Sequence, residues 1–279
     1  MSETILITID VEDWFQVENF KSLIPFSSWP SREFRVEKNT RQLLDILGHR
    51  RATFFILGWI AERLPGLVRD IHDQGHEVAS HGYHHNLCNQ QSGKELEKDL
   101  ADSKKRLEDI IGASVVGYRA PSFSINDDVL KMIESCGYRY DSSFNSFAMH
   151  DRYGKVDLSQ NKRKGIAVQI SRNFHELPIS NLRMGNRVFP LGGGGYFRLI
   201  PFPLFKMGIR QILKNDGAYL FYMHPWELDP GQPKVSDAPP SYKFRHYTNL
   251  KRVQSKLSGL FKAFRQSEFV TCRDYLAGY

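Results

Sequence analysis

Short apolar runs alternate with longer amphipathic segments along the first half of the chain. Runs such as "TILITID" (4–10) and "ATFFIL" (52–57) are rich in β-branched and aromatic residues, which is typical of buried strands. Between them, apolar residues recur every three or four positions, which predicts helices. This alternation predicts parallel βαβ units. The predicted strands are 4–10, 52–57, 77–80, 114–120 and 138–144, and the predicted helices are 39–49, 59–75, 92–112 and 126–137.

Regular patterning is interrupted after residue 145. The segment 145–166 is polar and basic, and it is predicted to be an irregular excursion. Strand patterns return at the three segments 166–171, 218–224 and 268–272, and a helical pattern covers 250–266. No shift in composition divides the chain, so residues 1–279 are predicted to form a single α/β domain with a family-specific part at about 192–279.

Composition is that of an ordinary water-soluble globule, with 41% hydrophobic and 25% charged residues. The net charge of +7 is scattered and indicates no nucleic-acid partner. The three cysteines, Cys88, Cys136 and Cys272, suggest no disulfide framework. The first residues, "MSETILITIDVEDWF", lack the pattern of a signal peptide, and no apolar run is long enough for a membrane span. A cytoplasmic location is therefore the expectation.

Chemically active side chains follow five of the predicted strands. Because active sites of parallel α/β proteins lie at the carboxyl ends of strands, these groups are expected to meet. Each group alone also has an ordinary structural explanation, such as a helix cap or a loop histidine, and only the joint pattern indicates a site. The groups are Asp10, Glu12 and Asp13 after the first strand, His81, His84 and His85 in "SHGYHHN", then Arg119, Asp141 and His224.

The order of these motifs resembles the polysaccharide deacetylases, the NodB-homology domain of carbohydrate esterase family four. The motifs are "TIDVED", "ATFFILG", "GHEVASHGYHH", "GYRAPSFS", "YDSSF" and "YMHPWEL". The resemblance spans about 4–145 and returns at 218–272. "DVEDWF", "GGGGYFR" (192–198) and "HPWELDP" (224–230) are most similar to members from exosortase and exopolysaccharide loci. The family's fold implies a distorted (β/α)7 barrel, and its reaction implies metal-assisted removal of N-acetyl groups from amino sugars.

The resemblance also implies a metal site with a general base beside it. Asp10 matches the general base that deprotonates the attacking water. His81 and His85 match the two histidine ligands, with His84 as a neighbour only. The third ligand is a carboxylate for which Asp13 is favoured and Glu12 is the alternative. The ion is expected to be Zn²⁺, with other divalent ions as alternatives.

Further roles follow from the same resemblance. Arg119 matches the residue that orients the base, His224 the general acid, and Asp141 the residue that orients and charges that histidine. Two positions depart from the family: Gly82 replaces a Ser or Thr after the first histidine, and "YDSSF" lacks a following tryptophan.

Several aromatic residues, a glycine run and one helix are further candidates for a functional role. Pro121, Tyr196 and Trp226 are the expected substrate contacts, and Trp14, Phe15 and Phe197 are equally consistent with sugar stacking or core positions. The "GGGG" run at 192–195 predicts a mobile or close-approach loop, since it does not open a clear helix. The helix 250–266 carries basic and apolar residues, so it is either a barrel helix or a contact with an anionic membrane surface.

The expected function is an N-acetylhexosamine deacetylase acting on a polysaccharide or its lipid-linked precursor. A related amidohydrolase that acts on another acyl group or on a cyclic amide is the first alternative. A non-catalytic carbohydrate-binding relative is the second, although the presence of the base, the acid and both histidines argues against it.

Overall fold

The computed structural model describes residues 3–147, 154 and 156–278. Six short 3-10 helices accompany the strands and α-helices, among them Pro121–Phe123 and Pro225–Leu228. The strands are β1 Thr4–Val11, β2 Thr53–Ile56, β3 Glu77–Ser80, β4 Gly117–Tyr118, β5 Tyr140–Asp141, β6 Arg163–Lys164, β7 Ala167–Gln169, β8 His175–Glu176, β9 Leu182–Met184, β10 Arg187–Phe189, β11 Ala218–Met223 and β12 Glu268–Phe269. The α-helices are α1 Val36–Leu47, α2 Gly58–Arg63, α3 Pro65–Asp73, α4 Gly93–Ile111, α5 Asp127–Ser135, α6 Gly194–Leu199, α7 Phe202–Asp216, α8 Pro240–Tyr247, α9 Val253–Ala263 and α10 Cys272–Ala277.

Seven parallel strands form the central sheet in the order β11, β1, β2, β3, β4, β5 and β8. The chain beyond β8 returns to β11, where the Ser180 N–H donates to the Leu220 carbonyl and the Leu220 N–H donates to Ser180 Oγ. Apolar side chains fill the interior and the space beneath the helices. The predicted distorted (β/α)7 barrel is thereby confirmed, with its strand ends gathered at one rim.

The second half of the chain differs most from the sequence-based prediction. The predicted strand 166–171 is β7, which pairs antiparallel with β8 and lies outside the parallel set. The pattern missed β8 and the β9–β10 hairpin because strands of two or three residues are too short to show periodicity. It also missed α6, α7 and α8, each of which contains or follows Gly or Pro. Residues 148–153 and 155 of the predicted excursion at 145–166 lie outside the described residues, and the end of the excursion contains β6.

The glycine run is an entry into a helix, not a mobile loop. Gly193 makes a parallel bridge to Tyr222, and a Cβ at Gly193 would lie 2.0 Å from the Tyr222 carbonyl oxygen. Gly193 and Gly194 both have positive φ, which glycine adopts without strain. The expected close approach is present, but it joins two backbones and leads directly into α6.

The helix predicted at 250–266 is an ordinary barrel helix. Its apolar residues, including Leu257, Leu260 and Phe261, are buried in the core. Lys256 donates hydrogen bonds to the backbone carbonyls of Phe197 and Ile200, so its ammonium group is bound within the protein. The predicted membrane contact through this helix is therefore not supported, because its apolar side faces inward. No helix among the described residues combines the length and apolar character needed to cross a bilayer.

The buried His76 joins the lower ends of β2 and β3 and is expected to make the fold acid-sensitive. Its Nδ1 accepts the Ala52 N–H at 3.2 Å, and burial lowers its pKa from 6.5 to about 4. Between these values the unfolded chain binds a proton that the folded chain does not, so stability falls as pH falls from 6.5 to 4. His76→Asn should reduce this loss by about 1–2 kcal/mol in urea unfolding, allowing for solvent screening. His72→Asn, at an exposed position, should behave as wild type, and equal acid sensitivity of all three proteins would contradict the prediction.

Candidate active site

Glu12, His81 and His85 form a buried cluster at the rim of the barrel. Glu12 Oε1 lies 3.0 Å from His81 Nε2 and 3.0 Å from His85 Nε2. Each of the three side chains is at most 5% exposed. Glu12 follows β1, while the histidines follow β3, two positions away in the sheet. The convergence of parallel strand ends thus brings together three groups that are far apart in the sequence.

The hydrogen-bonding of His81 fits a cation at this cluster. Its Nδ1 lies 2.8 Å from the Arg119 carbonyl, which can only accept, so Nδ1 carries a proton. Neutral His81 then presents a lone pair from Nε2 towards the carboxylate oxygen of Glu12. Two lone pairs 3.0 Å apart repel unless a proton or a metal ion lies between them. The three ligand atoms lie within 4.8 Å of one another, which suits a divalent ion.

Charge within the cluster offsets its burial. Burial alone would raise the pKa of Glu12, but His85 and His224 and the hydrogen bonds from His81 and His85 hold it well below its ordinary value. Burial acts to lower the pKa of His85, yet Glu12 raises it above the ordinary value. The Glu12 carboxylate and the His85 side chain therefore stabilise one another as an anion and a cation, the charge pattern that a metal ion would replace.

Asp13 lies away from the two histidines, and its predicted preference over Glu12 as the ligand is wrong in this structure. Its carboxylate accepts the backbone N–H groups of Trp14, Arg35 and Val36 at 2.7–2.9 Å. These bonds anchor the start of α1. Burial raises the pKa of Asp13 to about 6 although these hydrogen bonds oppose the shift. Side chains alternate along an extended strand, so Glu12 continues the face of Asp10 and Asp13 points the other way.

The loop that carries the histidines is held by Asp99 of α4. Asp99 accepts the backbone N–H groups of Tyr83 at 3.0 Å and His84 at 3.4 Å. Gly82 has φ of 74°, and a Cβ there would approach Asp99 Oδ1 to 2.8 Å. Asp99 thus holds the loop through these hydrogen bonds, and its carboxylate occupies the space that a side chain at position 82 would need. His84 is largely exposed and lies outside the cluster, as expected.

Asp10 is fixed by Arg119, as the sequence predicts. Arg119 Nη1 donates to Asp10 Oδ1 at 2.7 Å and to Thr8 Oγ1 at 2.8 Å. The remaining guanidinium donors reach the carbonyl and hydroxyl of Ser142 at 2.8 and 2.7 Å. Arg119 is fully buried, so its orientation has no freedom to vary. Asp10 consequently presents its carboxylate to the pocket in one geometry.

His224 pairs with Glu227, not with Asp141. His224 Nδ1 lies 3.1 Å from Glu227 Oε1, and the His224 backbone N–H donates to the same oxygen at 3.0 Å. His224 Nε2 points towards the cluster, 3.9 Å from Glu12 Oε1. Burial acts to lower the pKa of His224, but Glu12, Glu227 and Asp10 raise it to about 9. Glu227 thus occupies the role that the resemblance assigned to Asp141.

Asp141 is a structural carboxylate beneath the site. It accepts the N–H and hydroxyl of Ser143 at 3.0 and 2.8 Å. Its neighbour Glu176 accepts the N–H groups of Ser143 and Phe144. Burial raises the pKa of both carboxyls, and their proximity raises that of Glu176 well above its ordinary value. The predicted contact between Asp141 and His224 is therefore wrong, because this pair is committed to the β5–β8 junction.

Arg198, the last residue of the "GGGGYFR" motif, holds the Glu227 side chain in place. Arg198 Nε donates to Glu227 Oε2 at 2.8 Å, and both side chains are nearly inaccessible. The other donors of Arg198 reach backbone carbonyls of Arg245, His246 and Thr248. The "GGGGYFR" and "HPWEL" motifs therefore meet in one network. Sequence reasoning missed Glu227, although its position three residues after His224 matches a capping box.

A pocket of about 390 Å³ opens over these groups. Asp10, Glu12, His85 and His224 line it, together with Tyr196. The predicted contact Pro121 is not among the lining residues, whereas its neighbours Ser122 and Phe123 are. Trp226 also lines the pocket, but its faces stack on His224 and His246 with centroid distances of 5.0 and 4.2 Å. Its rings support His224, so a sugar cannot use either face.

The other aromatic candidates belong to the core. Trp14, Phe15 and Phe197 are each at most 4% exposed. Phe15 packs edge-on against Trp14 and Trp59, and Phe197 packs against Phe205. Of the aromatic residues proposed for sugar stacking, Tyr196 alone combines a position in the pocket with a partly accessible ring.

These features define a barrel protein with a carboxylate- and histidine-lined pocket at the carboxyl ends of its parallel strands, the usual place of an active site in such folds. Residues 24–140 match the model of the family described as polysaccharide deacetylase, and residues 142–277 match one described as a domain of unknown function. Residues 24–140 are therefore similar to the polysaccharide deacetylase family.

Curated relatives carry deacetylase names. A peptidoglycan-N-acetylglucosamine deacetylase of Bacillus cereus is 35% identical over 102 residues, which is 36% of this chain and 47% of the relative. A chitooligosaccharide deacetylase of Azorhizobium caulinodans is 30% identical over 89 residues, 32% of this chain and 42% of the relative. The chain spans less than half the length of either relative.

Solved structures share the fold. A peptidoglycan N-acetylglucosamine deacetylase superposes with a TM-score of 0.54 at 14% identity, covering 98% of this chain and 87% of that chain. A carbohydrate esterase family four pseudoenzyme from Bacillus anthracis has the same TM-score at 13% identity, covering 99% of this chain and 66% of that chain. Because one neighbour is named an enzyme and the other a pseudoenzyme, the fold leaves the activity to be argued from the site.

Proposed function

We propose that this protein is a metal-dependent N-deacetylase that removes acetyl groups from N-acetylhexosamine units. The observation that carries the proposal is the placement of Asp10 and His224 in one pocket with the Glu12–His81–His85 cluster. A carboxylate, a histidine and a metal-type cluster are the three parts that amide hydrolysis requires. The named deacetylase relatives support the choice of an acetylated sugar.

The residues divide the proton transfers between them. Asp10, held through one oxygen by Arg119, accepts the proton of the attacking water. His224, whose Nδ1–H is fixed by Glu227, delivers a proton from Nε2 to the leaving amine. Glu12, His81 and His85 would hold a divalent ion, for which Zn²⁺ is our expectation. When bound, the ion polarises the acyl carbonyl and acidifies water.

The substrate class is part of the proposal, and the shape and lining of the pocket are compatible with it. The pocket is open enough for a sugar unit and carries Tyr196 and Phe244 at accessible positions. We propose a saccharide of exopolysaccharide type, free or lipid-linked, with the enzyme acting on the cytoplasmic side.

An acetate-release screen tests the proposal. The full chain, loaded with Zn²⁺, is incubated with N-acetylated oligosaccharides, nucleotide sugars and lipid-linked sugars, and free acetate is measured. Release from at least one class supports the proposal, provided that Asp10→Asn abolishes it. Hydrolysis of hydantoin-like cyclic amides instead would favour the related amidohydrolase. Saccharide binding without any hydrolysis would favour the non-catalytic relative.

Glu227 should matter for cleavage of an amide more than for cleavage of an activated ester. Glu227→Gln removes the charge that holds His224 as a proton donor, and a good leaving group needs no proton. We expect a roughly 10- to 100-fold lower kcat on an N-acetyl amide and a much smaller loss on an activated acetyl ester. Bound metal, measured by elemental analysis, should not change.

Asp141→Asn is the matched control for Glu227→Gln. It removes a buried carboxylate that does not contact His224, so the ratio of amide to ester cleavage should remain that of wild type. A selective loss of amide cleavage in Asp141→Asn, with none in Glu227→Gln, would return the role to Asp141.

A further inference from the structure

A long segment behind the pocket carries positive charge only. Residues 177–215 contain no Asp or Glu. They include the β9–β10 hairpin, α6 and all of α7 except its last residue, the exposed Asp216. Five of the nine large apolar side chains that are exposed among the described residues also lie in this segment. The basic residues are Arg183, Arg187, Arg198, Lys206, Arg210 and Lys214.

The outer face of α7 combines apolar and basic side chains. Phe205, Ile209 and Ile212 face the core. Leu204 and Met207, at 55% and 63% exposure, lie on the opposite side near the start of the helix. Arg210 and Lys214 continue that side at the spacing of a helical face and are exposed.

The β9–β10 hairpin and the residues after it pack against α7 on the buried side of the helix. Leu191, which follows β10, contacts α7 so closely that a Cβ at Gly208 would lie 2.1 Å from its Cδ1. Leu182 and Ile212 line one groove between the hairpin and the end of the helix. Phe189, at 42% exposure, adds an apolar ring. We define the α7 surface as Arg187, Phe189, Leu204, Met207, Arg210 and Lys214.

The cations of the α7 surface are not engaged in ion pairs with any of the residues that the structure describes. The ion pairs among the described residues include none of Arg187, Arg210 and Lys214. Contiguous exposed apolar side chains flanked by cations are typical of surfaces that meet an anionic bilayer, where the apolar groups enter the interface and the cations meet the headgroups.

We propose that the α7 surface docks the protein on an anionic lipid bilayer. A second copy of the chain fits less well, because a symmetric contact would place the cations of both copies against each other. A soluble acidic polysaccharide would satisfy the cations, but it would leave Leu204, Met207 and Phe189 exposed to water. A bilayer satisfies both kinds of side chain.

The docking surface adjoins the pocket. Leu199, the last residue of α6, lines the pocket and is 39% exposed, and α7 begins at Phe202. A docked molecule would therefore hold its pocket mouth beside the headgroups. This consequence rests on the proposed function: it favours a lipid-linked saccharide as the substrate. The docking itself does not depend on catalysis.

Vesicle flotation of the full chain tests the proposal. Neutral phosphatidylcholine vesicles are compared with vesicles containing about 30% phosphatidylglycerol, at low and high salt. Each cation near an anionic surface contributes about fivefold in affinity. Arg210→Glu combined with Lys214→Glu should therefore weaken binding at least about 25-fold. Leu204→Ser combined with Met207→Ser should also release the protein from anionic vesicles.

The matched control is Lys262→Glu combined with Arg265→Glu, which changes the net charge equally at exposed positions in and just beyond α9. This control should bind as wild type, and circular dichroism should show that every variant is folded. The proposal is overturned if wild type does not bind anionic vesicles, or if the α9 control weakens binding as much as the α7 variants.

Two further results overturn the lipid assignment in favour of another partner. Equal binding to soluble polygalacturonate, unaffected by the Leu204 and Met207 changes, would identify a polyanion. A concentration-dependent dimer that these changes abolish without vesicles would identify a second copy. Neither result bears on acetate release, so failure of the docking proposal is distinguishable from failure of the proposed function.

Discussion

Replacing Glu12 with Gln is expected to remove bound metal and deacetylase activity together. Glu12 Oε1 is the atom shared by His81 and His85, and an amide oxygen carries no negative charge to hold a divalent ion. His81→Ala and His85→Ala should have the same effect, because a three-residue site has no spare ligand. Changes to residues that hydrogen-bond a metal ligand weaken metal binding by about 10- to 100-fold. Loss of a ligand itself should therefore weaken metal binding by more than about 100-fold. Elemental analysis after Zn²⁺ loading and dialysis measures the result.

Asp13→Asn is the control for Glu12→Gln, because it changes the adjacent carboxylate that the sequence favoured. It should keep about one equivalent of metal and lose about 1–3 kcal/mol of stability, since Asp13 accepts three backbone N–H groups at the start of α1. Full metal content in Glu12→Gln together with loss in Asp13→Asn would reverse the two assignments.

Replacing Asp10 with Asn is expected to abolish turnover while metal stays bound. The amide can still accept the Arg119 hydrogen bond, so the local structure should persist, but it cannot take the proton of water. General base catalysis contributes about 10²–10⁴-fold, so kcat for acetate release should fall by at least that factor. Loss of metal in Asp10→Asn would instead make Asp10 a ligand.

Thr8→Val is the control for Asp10→Asn, because it disturbs the surroundings of Arg119 without removing the proposed base. Thr8 shares Arg119 Nη1 with Asp10, and its hydroxyl donates to the Phe221 carbonyl. Its removal should cost about 1–3 kcal/mol of stability. It should change kcat less than tenfold, because the Asp10–Arg119 pair remains. A loss of activity as large as that of Asp10→Asn would mean that the surroundings of Arg119, not the base, explain the result.

The parallel βαβ units and the meeting of side chains at their strand ends were predictable from the pattern because both depend on local features, and the closed barrel was expected from the family resemblance. Buried parallel strands are apolar along most of their length, so β1 and β2 are visible as runs of Ile, Leu, Val and Phe. The chemical groups that follow parallel strands must share one edge. The structure brings Asp10, His85 and His224 into one pocket, and it contains the contact of Asp10 with Arg119 that the family resemblance implied.

The alternation of side chains along β1 also indicates which of Glu12 and Asp13 lies on the same face as Asp10. Thr8 and Asp10 face Arg119, so the next residue on that face is Glu12. The family's commonest form has two adjacent aspartates, and the longer spacing here left both Asp13 and Glu12 open, with Asp13 favoured. The structural role of Asp13 depends on Arg35 and Val36, more than twenty residues away, and no local pattern indicates that contact.

The sequence pattern by itself determined the parallel βαβ units and the carboxylate and histidines at their strand ends, because periodicity and strand ends are local properties of the chain. The closed barrel and the pairing of Asp10 with Arg119 were expected from the family resemblance. Only the tertiary structure decided that Glu227 and not Asp141 holds His224, and that Arg198 supports Glu227 from the glycine-rich motif. Only it decided that the apolar residues of α9 are buried, whereas α7 buries one apolar side and leaves Leu204 and Met207 exposed on another. These outcomes depend on how distant segments pack, and packing partners are not specified by the spacing of residues within any one segment.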